Sequence, residues 1–305
     1  MKGNKAMVLT FAEKCKNILA SNWQGYLNTI KADAKGSKGD IYTSKVNYII
    51  RKGMPYIWVP ENDLHNMNTI IDERGSFAVT SPFPGQLGGL LKSMKKFPAR
   101  VALTGDVVPL KEDKAKSLGE KLQQVILSEQ KVANDFTYTV SGVLTSSCTS
   151  RRDALQELLS EDEKYTVYKF DMRSCTYIDG HGGNFEVDVE DFQRSKADLL
   201  APFSAELIDG INQSEARRRA LMLFCIVYMN ANAKDAYIAS IDRKGFNVLG
   251  KVLPQVSKGS VGQYEWKRFR FMFKEEATDV ETFCRQLVEM EEEAIKMASS
   301  YSGLG

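Results

Sequence analysis

The chain has 305 residues, 41 Lys+Arg against 39 Asp+Glu, and 43% hydrophobic residues. That length and composition predict a globular protein of about two domains. The charges nearly cancel, so no whole-molecule field exists to hold nucleic acid or an anionic membrane, and any charged site must be local. The longest apolar run, LMLFCIVYM at 221–229, is too short to span a bilayer and reads as a buried helix. Five cysteines, odd in number and without a CxxC, argue against a disulfide framework or a zinc ribbon and fit a reducing compartment. The first twenty residues lack the apolar core of a signal peptide, so secretion is not expected.

In chain order, residues 9–21 have helical spacing and 23–30 alternate as a strand. Residues 42–59 are two β-branched and aromatic runs meeting at Arg51-Lys52-Gly53, the strongest hairpin signal in the chain. Asn62 opens a short helix, 62–73, with Leu64, Met67, Ile70 and Ile71 at helical spacing, and a strand follows at 76–80. The Pro-, Gly- and Lys-rich stretch 81–98 reads as a connector into a strand at 99–110 and a solvated helix at 111–131. After a Ser/Thr/Arg-rich stretch at 145–153 and a helix around 153–160, a strand at 164–178 turns through 179–183 into NFEVDV. This first part is strand-dominated and mostly antiparallel, as barrels are. From about residue 193 the composition becomes helical, then two strands are expected, 235–242 with a turn at Arg243-Lys244-Gly245 and 264–274, the Gly/Ser-rich 257–263 connecting 246–253 to the last. Thr278 or Asp279 should cap a final amphipathic helix. The expected domains are 1–192 and 193–305, the second a small α+β unit.

The run YTSKVNYIIRKGMPYIWVPENDLHNMNTIIDERGSFAVTSP, followed by RVALTGDVVPL, resembles the split β-barrel shared by pyridoxamine 5′-phosphate oxidase-like flavoproteins and HugZ-type haem-utilisation proteins. The later ELIDGINQSEARRRALMLFCIVY and DAYIASIDRKGFNV resemble the small α+β domain that follows the barrel in the HugZ type. The resemblance implies an α+β fold and a homodimer whose pockets form where two barrels meet, with strands 42–59 and 99–108 at the interface. It implies two cofactor classes. For FMN, Ser44, Lys45, Arg51 and Arg100 match the donors of a phosphate site, which needs several hydrogen bonds and a fixed positive charge. The family's basic pair at the helix start is replaced by His65-Asn66, and its substrate-binding Arg-His signature is missing, which argues against pyridoxamine phosphate oxidation. For haem, His65 stands where the family places a histidine and is the candidate iron ligand. His181, beside Gly182-Gly183-Asn184-Phe185, lies at a turn resembling the family's Gly-Gly-Phe-Gly. The histidines of the bacterial motif are replaced by Gly210-Ile211-Asn212-Gln213-Ser214-Glu215.

The functional expectation is thus a dimeric protein binding haem or a related tetrapyrrole, with weak or no turnover. Alternatives are an FMN-dependent oxidoreductase and a ligand-free adaptor with a partner in tetrapyrrole metabolism. Neither nucleic-acid binding nor membrane insertion is expected, and two-domain relatives in plastids imply a chloroplast location. Arg217-Arg218-Arg219 lacks the interleaved aromatic platforms of a single-strand binder. No Ser-His-Asp or Gly-x-Gly-x-x-Gly signature supports a hydrolase or a nicotinamide enzyme.

Overall fold

The computed structural model describes residues 9–33, 36–136, 155–156, 158–159, 164–253 and 263–301. Helix α1 (Phe11–Ala20) begins with a reciprocal cap. The Glu13 N–H donates to Thr10 Oγ1 at 3.2 Å, and the Glu13 carboxylate accepts from the Thr10 N–H at 2.8 Å. Strands β1 (Gln24–Asp33), β2 (Gly36–Arg51) and β3 (Met54–Pro60) follow. The β2–β3 turn puts Lys52 at φ 49° and Gly53 at φ 78°, the left-handed pair that a two-residue hairpin requires. Then come α2 (Leu64–Ile71), β4 (Arg74–Thr80), α3 (Gly85–Ser93), β5 (Arg100–Pro109), α4 (Glu112–Phe136), β6 (Tyr165–Ile178), β7 (Asn184–Val187) and α5 (Val189–Arg194).

The strands run β3-β2-β1-β4-β5-β6 and close on themselves through β3–β6, giving a six-stranded antiparallel barrel. The 14-residue β6 is shared along its length: Tyr165–Lys169 pair with β3, and Cys175–Ile178 pair with β7. Closure therefore uses only the first part of β6. Between Thr104 and Gly105 the pairing skips Arg173, a bulge that bends β6 against β5, and a Cβ on Gly105 would sit 2.0 Å from the Asp171 carbonyl oxygen. Inside the barrel, Leu27, Tyr48, Ile57, Phe77, Leu103 and Phe170 are fully buried. Alternation along each strand supplies this inner row, and α1 covers it with Ala12, Cys15, Ile18 and Leu19. A second cluster lies outside the barrel, where Leu118, Leu122 and Ile126 of α4 pack on Ile49, Trp58 and Val167. Half of the segment expected to hold a helix at 153–160, and all of the Ser/Thr/Arg-rich 145–153, lie outside the described residues, although Leu155 and Leu158 join this second cluster.

Beyond a 3₁₀ turn at Ala201–Phe203, helices α6 (Ser204–Gln213) and α7 (Glu215–Met229) pack on the antiparallel sheet β8 (Ala233–Asp242), β9 (Gly245–Val252) and β10 (Glu265–Met272). Helix α8 (Val280–Tyr301) follows, with Asp279 accepting from the Thr282 N–H as its cap. The core here gathers Phe224, Phe246, Val248, Phe271 and Phe283. The last part of the Gly/Ser-rich 257–263 that is described is residue 263.

Three features differ from the expectation. The stretch 81–98 is not a bare connector: it contains α3, whose Leu87 and Leu91 belong to the core of the second unit although they precede β5 in sequence. The LMLFCIVYM run is not buried all round. Leu221, Phe224 and Cys225 are buried, whereas Ile226 and Met229 are exposed, because α7 offers only one face to the sheet. Strand β2 begins six residues before the expected start, where Gly36 and Gly39 mask the strand pattern but β1 supplies the ladder. The two units meet through α1. Asn17 accepts from the Asp198 N–H at 2.7 Å, and the Arg243 guanidinium donates to Glu13 and to Asp198.

Candidate functional site

Helix α2 is amphipathic in the reverse sense. Its inward face carries His65, Asn68 and Thr69, all buried, while Leu64, Met67, Ile70 and Ile71 face outward and Ile70 is 77% exposed. The inward polar face is fully used. His65 Nδ1 is 2.7 Å from Thr29 Oγ1 and its Nε2 is 3.0 Å from Ser44 Oγ. Asn68 donates to Thr29 Oγ1 and accepts from the Ala32 N–H. Thr69 donates to the His65 carbonyl and reaches the Tyr168 hydroxyl, which in turn donates to Asn66 Oδ1 at 2.8 Å. The Asn66 amide donates to the carbonyls of Pro60 and Glu61. Asp63 caps the helix by accepting from the His65 N–H, and Tyr42 lies edge-on to the imidazole at 4.7 Å. The ladder explains why these groups meet: Thr29 pairs with Tyr42 and Leu27 with Ser44, so Thr29 and Ser44 point to the same inner face under α2.

The imidazole is fully buried, and burial pushes its pKa down to about 4 although the Asp63 charge opposes the change. It is therefore neutral at pH 7, donating through one nitrogen and accepting at the other. A base this weak cannot activate Ser44 as a nucleophile, so the Ser44–His65 contact is a hydrogen-bonded strut. Both ring nitrogens are engaged by hydroxyls, and an iron at Nε2 would have to replace Ser44.

The remaining candidates are dispersed. Lys45 is exposed on the outer face of the barrel, opposite to Ser44 along the strand. Arg51, at the hairpin tip, is six residues from Lys45, about 20 Å along a strand. Arg100 shares the outer face but lies on β5, with β1 and β4 between it and β2. In one protomer these groups do not form a single phosphate cradle. His181 is exposed in the β6–β7 turn, where its N–H donates to Asp179 at 2.8 Å. The ladder from Thr29 through Gly75 and Gly105 ends at Met172, and β6 runs six residues further before that turn. His65 and His181 are therefore on the order of 20 Å apart or more along the barrel wall and cannot share one ligand within a protomer.

Sequence reasoning missed the partners of His65. Thr29 and Asn68 carry no motif, and only the alternation of β1 beside β2 could have placed Thr29 under the helix. It also missed the bare outer wall of β1, β4 and β5, lined by Ser76, Ala78, Ala102 and Thr104, with Tyr26 half exposed at its edge. Among the described residues no helix is long and apolar enough to cross a membrane, and no group of three or more His, Cys, Asp or Glu side chains could hold a metal ion.

No family model matches the chain. An uncharacterized protein of Arabidopsis thaliana is 31% identical over 94 residues, which are 29% of this chain and 19% of that protein. The chain thus matches about a fifth of the length of this curated relative. Among solved structures, a heme binding protein from Mycobacterium smegmatis is similar with a TM-score of 0.58 and 17% identity, covering 95% of this chain and 99% of that one. A protein of unknown function from Agrobacterium tumefaciens aligns over 93% of this chain and 98% of that one, with a TM-score of 0.38 and 17% identity. The closed six-stranded barrel, the appended β7 and the likeness over nearly the whole chain together identify a split-barrel fold followed by a smaller α+β unit.

Proposed function

We propose that the protein is a homodimer that binds haem or a related tetrapyrrole against the outward face of α2, with weak or no turnover of its own. The observation that carries this reading is the reversal of α2. Four large apolar side chains stay in water while three polar ones are buried, and an exposed apolar cluster of this kind marks a site of association. A flat, apolar macrocycle suits that face. The whole-length fold likeness to a protein named as heme binding supports the ligand class. The bare outer wall of β1, β4 and β5, with small side chains across it, supports a second copy as the partner in the dimer. His65 lies on the opposite, buried face of α2, so iron ligation through Nε2 would need the helix to turn over and give up the Ser44 bond; in the present geometry the histidine holds the helix with its apolar face outward.

The FMN alternative lacks support from the site, since Lys45, Arg51 and Arg100 do not converge in one protomer. An adaptor role toward a tetrapyrrole-pathway protein would use the same α2 face without a ligand. A chloroplast location belongs to the same proposal, resting on the family resemblance and on the stretch shared with a plant protein; organelle fractionation tests it.

Titrating the full chain with hemin distinguishes the readings. The proposal expects a Soret band shifted from that of free hemin, weakened at least tenfold in affinity by Met67→Glu with Ile70→Glu. In His65→Ala the band should keep its position while affinity falls, because α2 loses the bonds that hold its apolar face outward; a band moved to that of a differently ligated haem would instead make His65 the ligand. An unshifted spectrum removes the tetrapyrrole reading, and stoichiometric yellow FMN in freshly purified protein replaces it. Light scattering at micromolar concentration should give a dimer, and a single 34.2 kDa species would refute that part.

A further inference from the structure

Cys15 on α1 and Cys175 on β6 are 160 positions apart, yet their sulfurs meet at hydrogen-bonding distance, 3.7 Å. Both belong to the barrel core and neither is exposed to solvent. They sit on different elements. Cys15 is on the face of α1 that covers the barrel, and Cys175 is on the inner row of β6, paired with Leu103 on one side and Val187 on the other. Lys16 follows Cys15 in the same buried seam, its ammonium donating to the Gly53 carbonyl at 2.8 Å and lying 3.7 Å from the Phe192 ring centroid. The contact with Cys15 and then the Lys16 charge hold the Cys175 thiol below the usual range against its burial. By contrast, Cys225 is pushed up to about 12 by burial alone.

We propose that Cys15 and Cys175 form a redox-modification site, at which a small peroxide converts the pair into an intramolecular disulfide that locks α1 onto the barrel wall. The sulfurs need to close by about 1.7 Å to reach bonding distance, within reach of side-chain rotation. The Cys175 thiolate attacks one oxygen of hydrogen peroxide, the O–O bond breaks, and the departing hydroxide takes up the thiol proton as water. The sulfenic acid on Cys175 is then attacked by the Cys15 sulfur. The S–S bond forms, the S–O bond breaks, and the second hydroxide leaves with the Cys15 proton as water. Each sulfur gives up one electron, and the peroxide accepts both. Because the sulfurs are buried, peroxide reaches them only through local opening beside α1, so the rate follows that opening. The consequence is structural: α1 carries Glu13 and Asn17, which bind the second unit, so the cross-link fixes the element that joins the two.

The test is a peptide map of the full chain after incubation with hydrogen peroxide, digested without reductant. The expected product is one cross-linked peptide pair containing Cys15 and Cys175, reversed by dithiothreitol, with a melting temperature raised by several degrees. Cys15→Ser should abolish the cross-link and leave Cys175 as a sulfenic acid that dimedone traps. Sulfinic or sulfonic acid at Cys175 in the wild-type chain with no cross-link overturns the proposal. So does an unchanged Cys15–Cys175 pair while the half-buried Cys284 oxidises. The wild-type map needs no variant, so a Ser substitution that fails to fold does not rescue the idea.

Discussion

Acid should destabilise this protein through His65 well before its carboxylates titrate. The native pKa is pushed from 6.5 to about 4 by burial, so the unfolded chain takes up a proton as pH falls through 6.5 and the native chain does not. Stability is therefore fully present above 6.5 and is lost as pH falls toward 4. The whole difference corresponds to roughly 3 kcal/mol at about 1.4 kcal/mol per tenfold change, and between pH 7 and pH 5 the loss from this residue is about 2 kcal/mol. Complete burial of the side chain means that solvent screening does not reduce the figure. Urea unfolding followed by tryptophan fluorescence at pH 7, 6 and 5 measures it. His65→Gln retains a donor and an acceptor for Thr29 and Ser44 but carries no titrating charge. It should cost 1–2 kcal/mol at pH 7, roughly the worth of imperfect buried hydrogen bonds, and should flatten the pH dependence. Equal slopes for the wild type and His65→Gln across this window would refute the reasoning.

Lys16 is pushed down to about 8 by burial, so the protein should gain stability as pH rises from 8 toward 10.5. Lys16→Met should lack that gain in the same unfolding assay. Gly105→Ala drives a Cβ into the Asp171 carbonyl beside the β6 bulge and should cost about 3 kcal/mol or more in thermal denaturation. Gly25→Ala meets the Phe77 ring at 2.5 Å, and because that ring is fully buried the cost should be about 1–3 kcal/mol. Asp242→Ala strips Arg270 of a bidentate partner that is itself almost fully buried, and should cost about 3 kcal/mol in urea unfolding.

The parts of this fold that were legible in the sequence are those set by local signals. The Arg51-Lys52-Gly53 hairpin announces itself because a two-residue turn demands positive φ, and the barrel strands because alternation is written into each strand separately. Helix α3 was not legible: Leu87 and Leu91 match only two apolar positions among prolines and glycines, and the core that stabilises them is built from residues more than a hundred positions later. The orientation of α2 is not legible in the sequence for a related reason. Helical spacing of Leu64, Met67, Ile70 and Ile71 identifies a helix, but which face is buried depends on what the sheet presents. Here β1 and β2 present Thr29 and Ser44. The sequence singled out Ser44, His65 and Asn66 for ligand binding, and the structure brings Ser44 to His65 by a hydrogen bond and ties Asn66 into the same network through Tyr168, while Lys45, Arg51, Arg100 and His181 stay apart.

The reversed helix also explains why a polar network is present under α2. A helix whose apolar residues faced the barrel would be held by burial alone and would leave no apolar surface outside. Holding α2 through His65, Asn68 and Thr69 anchors it by directional bonds instead, which fix its rotation about its own axis and keep Leu64, Met67, Ile70 and Ile71 turned outward. Rotating the helix by half a turn would bury four apolar side chains against Thr29 and Ser44, leaving those hydroxyls without their partners, at about 1–3 kcal/mol for each group left unsatisfied. The network thus acts against the more ordinary packing, and the surface it keeps exposed is the one on which the proposed binding would depend.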